Sequence, residues 1–145
     1  MEITESTALQ VGPVFQHLVL QQHLVLPFGT VGDLLHHLQQ ADRGHLYLLI
    51  RGIRGSYEGI TLEAYLRAAQ ESVFLAAEGL YGLKRASLQG DGLTVSVDIT
   101  PALEALQQAA LQPQTACTLL LQPRFPLQDN EILRIEQIAL FADVA

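Results

Sequence analysis

The stretch Thr61-Leu-Glu-Ala-Tyr-Leu-Arg-Ala-Ala-Gln-Glu-Ser-Val-Phe-Leu-Ala-Ala-Glu78 decides the fold that the sequence predicts. Read at helical spacing, Leu62, Tyr65, Leu66, Ala69, Val73, Ala76 and Ala77 make one apolar stripe. Thr61 stands where an N-cap belongs, and Gly79 where a left-handed exit residue belongs. The reading is the longest helix of the chain, 61–78. Phe74 and Leu75 widen its stripe enough to touch two surfaces.

Working outward, His45–Arg51 reads as a strand. Leu46, Leu48 and Ile50 line one face and Tyr47 and Leu49 the other, as in a central strand covered on both sides. A loop with Gly52, Gly55 and Gly59 leads on to the helix. Beyond the helix, Leu83–Ile99 reads as a hairpin turning at Gly90-Asp91-Gly92, with Leu93, Val95, Val97 and Ile99 alternating against Thr94, Ser96 and Asp98. Pro101–Leu111 reads as a helix capped by Thr100. Thr115–Gln122 reads as a strand with Cys117, Leu119 and Leu121 on one side.

The order from His45 to Gln122 is thus β-α-β-β-α-β, the ferredoxin-like order. In pattern, Gly82–Leu111 resembles the second half of small ferredoxin-like modules such as heavy-metal-associated and ACT domains. The Cys-x-x-Cys of the metal-carrying members is absent, so the resemblance implies no metal transfer. The predicted fold class is α+β, with a ferredoxin-like βαββαβ core over residues 45–122, extra N- and C-terminal strands and one extra N-terminal helix.

At the N-terminal side, Val14–Phe28 reads as one long strand or as a hairpin turning at Gln21-Gln22. Thr30–Ala41 reads as a helix, with Thr30 and Asp33 in capping-box positions and Val31, Leu34, Leu35, Leu38 and Ala41 on one face. Asp42-Arg43-Gly44 ends it. Ile132–Val144 reads as a last strand whose apolar phase slips between Ile135 and Ile138, as a bulge at Glu136-Gln137 would produce. No linker interrupts the 145 residues, and 1–145 reads as a single domain.

Composition narrows the function classes. The formal net charge is −7 and charged residues make up 16%. Lys84 is the sole lysine, and Gln21-Gln22, Gln39-Gln40 and Gln107-Gln108 replace charge on the polar surface. With no clustered basic face, no nucleic-acid partner is expected, and no polybasic membrane-surface segment is visible. No apolar run approaches a spanning helix, so no membrane partner is expected. Cys117 stands alone, which excludes an internal disulfide and a multi-cysteine zinc site. Met1–Glu5 is acidic, lacks a signal-peptide pattern and points to the cytoplasm.

Candidate sites follow from residue chemistry. Asp33, His36, His37 and His45 are metal-ligating types, but His36 and His37 do not converge on one helical face, and neither metal nor cofactor is expected. Arg51, Arg54, Ser56, Tyr57 and Glu58, in the glycine-rich loop 51–59, could grip a small anion with guanidinium groups and helix N-terminal N–H groups. No catalytic residue is identified. Ser56 lacks a nucleophile elbow, Cys117 reads as a buried thiol, and His17 and His23 read as strand residues. The apolar surplus, which includes Leu18, Leu20, Leu24, Leu26, Phe74, Leu75 and Phe141, suggests an interface. The expected function is a non-catalytic module that binds itself or another protein, in the extended form a subunit of a larger assembly. The alternatives are a small-anion sensor using loop 51–59 and an enzyme without a recognisable motif.

Overall fold

A computed structural model describes residues 8–41, 44–128 and 130–143. They form β1 (Ala8–Leu20), β2 (Leu24–Thr30), α1 (Val31–Gln39), β3 (Leu46–Arg54), β4 (Thr61–Ala68), β5 (Glu71–Gly79), α2 (Leu83–Leu88), β6 (Leu93–Asp98), α3 (Thr100–Gln108), β7 (Ala116–Pro123) and β8 (Leu133–Asp143). The strands pair into two antiparallel four-stranded sheets, ordered β1-β8-β3-β6 and β2-β7-β4-β5. One cluster of buried side chains draws on both, with Leu48 and Ile50 from the first sheet and Leu66 and Leu119 from the second. The sheets therefore pack face to face over a common core. This mostly-β two-layer fold replaces the α+β ferredoxin-like core predicted for residues 45–122.

The correction starts at 61–78, which is a hairpin. β4 and β5 pair from Thr61↔Gly79 to Ala68↔Glu71. Leu62 and Leu66 are four residues apart, a spacing that serves one face of a helix and equally one face of a strand. Leu62, Ala64, Leu66 and Ala68 are all buried, while Thr61, Glu63, Tyr65 and Arg67 face outward. The Ala, Leu and Glu content favours helix in isolation. Pairing with β7 along the other edge of β4 overrides that preference. The turn at Ala69-Gln70 carries no Gly or Asn, and Ala69 takes φ 53° without them. The usual sequence mark of a tight hairpin is missing.

The second difference is α2. Leu83–Leu88 is helical where the sequence predicts the first strand of a hairpin. Gly90-Asp91-Gly92 still turns the chain into β6. Gly92 has φ 71°, and a side chain there would meet the Ile53 carbonyl oxygen at 2.7 Å.

Other elements lie where the sequence places them. The α1 capping box is closed: the Asp33 N–H donates to Thr30 Oγ1 (3.1 Å), and the Thr30 N–H donates to Asp33 Oδ2 (3.0 Å). The backbone bond from Thr30, then its hydroxyl, hold the Asp33 carboxyl below the usual range. Val14–Phe28 differs from both readings, one long strand or a hairpin at Gln21-Gln22: it divides at 21–23, and β1 and β2 pair in different sheets, with β8 and β7 respectively. α3 begins at Thr100, so Thr100 is not its cap; Ile99 takes the N-cap position without a side-chain bond, and Asp98 just before it supplies the bond to the helix start, its Oδ1 accepting from the Thr100 N–H (3.0 Å). The Thr100 hydroxyl instead accepts from the Leu46 N–H (3.0 Å) and ties α3 to β3. Asp42, Arg43, Val144 and Met1–Glu5, which figure in the sequence reading, lie outside the described residues. Among the described residues no helix is long and apolar enough to cross a membrane.

Candidate functional site

Three neighbouring strands of the first sheet change phase at one level. In β8, Ile135 and Ile138 both enter the core, which leaves Glu136 and Gln137 as consecutive outward residues. In β3, Ile50 and Ile53 do the same and leave Arg51 and Gly52. In β1, Phe15 and Leu18 pack against the core and leave Gln16 and His17. The register aligns the three slips: Gln16 faces Gln137, and Gln137 faces Arg51. The β3–β8 ladder stays unbroken because both strands slip together, while β3 shifts against β6 between Ile50 and Ile53. Left-handed backbone absorbs the kink, with φ 65° at Gly52 and φ 55° at His17. Aligned kinks of this kind, which at this level keep the register of β1, β8 and β3 while β3 bulges against β6, turn two consecutive side chains of each strand onto one face of the sheet.

Polar side chains collect there. A cleft of about 200 Å³ is lined by His17, Gly52, Arg54, Arg134 and Glu136 among others. An adjoining one of about 230 Å³ is lined by Gln16, His17, Arg51, Glu136 and Gln137. Arg54 and Arg134 are direct register partners across β3 and β8. Arg54 Nη2 donates to the Gly90 carbonyl and lies 3.7 Å from Glu136 Oε2. Its Nε is buried with no hydrogen-bond partner among the described residues. The Arg51 guanidinium sits 5.6 Å from the centre of the Phe141 ring, within cation–π range.

The five loop residues predicted to bind an anion are only partly brought together. Arg51 lies on the sheet face. Arg54, Ser56 and Tyr57 share a depression of about 210 Å³ with Arg134. Glu58 turns away, and its Oε1 accepts from the Lys84 N–H (3.0 Å) at the start of α2. The loop leads into β4, so the helix N-terminus on which the anion argument leaned is not there. Two further bonds fasten the loop: the Gly55 N–H donates to Ser87 Oγ (2.9 Å), and the Tyr57 hydroxyl donates to the Asn130 carbonyl (3.1 Å). Sequence reasoning missed Gln16, His17, Arg134, Glu136 and Gln137 as members of a site. Their signal is a thrice-repeated pattern in strands, apolar–two non-apolar–apolar, at 15–18, 50–53 and 135–138.

The residues predicted to form an interface are scattered. Leu20 and Leu26 are core residues, and Leu18 and Leu24 pack half-buried against the core. Leu75 sits at a one-residue slip of β5 against β4 and lines a small apolar void between the sheets. Phe141 is buried with Leu49 and Ala139 on the outer side of the first sheet. Phe74 is 54% exposed on the outer face of the second sheet. There it closes a row: Val25 pairs with Leu120, Leu120 with Tyr65, and Tyr65 with Phe74. The row crosses all four strands, and the Tyr65 and Phe74 rings meet edge to face at 5.6 Å.

The histidines named as metal-ligating types stay apart from one another. His45 Nδ1 lies 2.9 Å from Asp98 Oδ2, beside the cap of α3. His36 and His37 present tilted rings 6.2 Å apart on α1. Among the described residues no three His, Cys, Asp or Glu side chains converge as metal ligands. Cys117 is buried, and burial, with the Asp33 carboxylate second, pushes its thiol up to about 11.

Against known sequences, the model of the family described as Domain of unknown function (DUF7868) matches residues 8–143, and the chain belongs to that family. No curated protein matches it.

Proposed function

We propose that this member of the DUF7868 family is a non-catalytic binding module that associates with a second copy of itself through the outer face of its second sheet. The observation that carries the reading is the row Val25–Leu120–Tyr65–Phe74, whose two end residues are 47% and 54% exposed. An apolar row spanning a sheet and open to solvent gains free energy when another surface covers it.

The charges beside the row suit a copy of the same face. On β4, Glu63 precedes Tyr65 by two residues and Arg67 follows it by two, all three facing outward. A two-fold axis along the row would lay it on itself and bring Glu63 opposite the second copy's Arg67. Glu63 already lies 3.4 Å from Arg124 Nε, so its carboxylate would be shared by two guanidinium groups. The low overall charge keeps the desolvation cost of such a contact small. A cytoplasmic setting fits this reading, because the lone buried Cys117 calls for no oxidising compartment.

Native mass spectrometry and light scattering test the proposal on the wild type and on Phe74→Asp. The expected result is a wild-type dimer and a monomeric variant with nearly unchanged melting temperature. A wild type that stays monomeric up to its solubility limit would overturn the self-association. A dimer indifferent to Phe74→Asp would place the interface elsewhere.

A further inference from the structure

We infer that the kinked outer face of the first sheet binds a small organic oxyanion, its carboxylate or phosphate group held between the guanidinium groups of Arg54 and Arg134. The two residues stand directly opposite each other on β3 and β8. Like charges in that relation repel and weaken the ladder. Both line the same two depressions, of about 200 and 210 Å³, so both side chains border one solvent space. An anion between them turns the repulsion into two attractions, and the planar guanidinium matches carboxylate and phosphate oxygens in pairs.

Four further observations point the same way. The local charge runs against that of the whole chain. Arg51, Arg54 and Arg134 are three of its eight basic residues, and among the described residues Glu136 is the one acid lining these depressions, in a protein of net charge −7. The backbone is strained at the same place, with His17 at φ 55°, and strain of this kind concentrates at binding sites. Arg54 is also held in position, since its Nη2 donates to the Gly90 carbonyl and lies 3.7 Å from Glu136 Oε2. Gln16 and Gln137, in register with Arg51, add amide donors and acceptors that suit the hydroxyl groups of an organic ligand.

The site lies on the opposite sheet from the proposed self-association, and the two are independent. The test follows thermal unfolding of the full chain with citrate or inorganic phosphate, each against sodium chloride at equal ionic strength. Wild type is expected to gain several degrees over the chloride control with at least one of the two anions. A gain with citrate alone assigns the site to carboxylates, and one with phosphate alone to phosphates. Arg134→Gln is expected to lose the gain, while its unliganded melting temperature equals or exceeds wild type by about 1–3 °C because one of two like charges on directly opposed positions is gone. That comparison separates a lost ligand from a lost fold. No gain over chloride with either anion, an equal gain in Arg134→Gln, or a lower unliganded melting temperature of that variant would each overturn the proposal.

Discussion

Glu136 leans over Gly52 across the β3–β8 ladder, so closely that a Cβ at position 52 would lie 2.6 Å from Glu136 Cβ and 2.7 Å from its Oε2. Gly52 also has φ 65°, a conformation that costs a side-chain-bearing residue about 1–2 kcal/mol. Gly52→Ala should therefore lose about 2–3 kcal/mol in chemical denaturation, strain and crowding together. Glu136→Ala removes the carboxylate contact but keeps the Cβ, so the double variant should recover less than half of that loss. A single Gly52→Ala variant as stable as wild type would show that the kink tolerates a side chain.

The β4–β5 turn makes the opposite prediction. Ala69 holds φ 53° at an exposed position where glycine is at ease. Ala69→Gly should leave the fold intact and raise stability by up to about 1 kcal/mol, partly offset by the greater freedom of glycine in the unfolded chain. A lower melting temperature for Ala69→Gly would mean that the turn gains from the alanine side chain.

Asp98 serves two elements at once. Its Oδ1 accepts from the first N–H of α3, and its Oδ2 lies 2.9 Å from His45 Nδ1. Asp98→Ala should cost about 1–2 kcal/mol through the lost bond to the helix start. Asp98→Asn should recover most of that, since an amide oxygen can still accept from Thr100. Equal losses in both variants would point to the charge instead of that bond.

Cys117 should resist iodoacetamide in the native protein at pH 8 and react fully in denaturant, because burial holds its thiol near 11. The linked effect on stability has a definite sign. The folded thiol is raised above its unfolded value of 9.0, so stability is unaffected below pH 9 and falls between about pH 9 and 11, where only the unfolded chain ionises. Cys117→Ala should remove that part of the alkaline loss, and an identical alkaline profile in the variant would contradict it.

Strand content was legible where alternation was strict and turn residues marked the ends. Leu93–Asp98 and the Cys117, Leu119, Leu121 face of β7 are such cases, and the Thr30–Asp33 capping box marked α1. The hairpin at 61–79 was not legible, because spacings of four are common to both periods and its turn uses Ala69-Gln70. Once that segment read as a helix, the two-sheet fold became a one-sheet fold. At the candidate site, Arg51 and Arg54 were visible through the glycines around them. Arg134 and His17 were not, because their place beside Arg54 depends on which strands pair. The slip at Glu136-Gln137 was visible, but its meaning came only from the matching slips in β1 and β3.

The pairing of Ala8 with Asp143 at the rim of the first sheet has a consequence for engineering. Partners in such a ladder stand about 5 Å apart at Cα. A few glycines could join them, and new ends could be opened at the exposed Gly90-Asp91 turn. A circular permutant of this kind should keep both sheets. By the same geometry, this unit could be grafted into a surface loop of a host protein as a pendant, entering and leaving through one narrow stem.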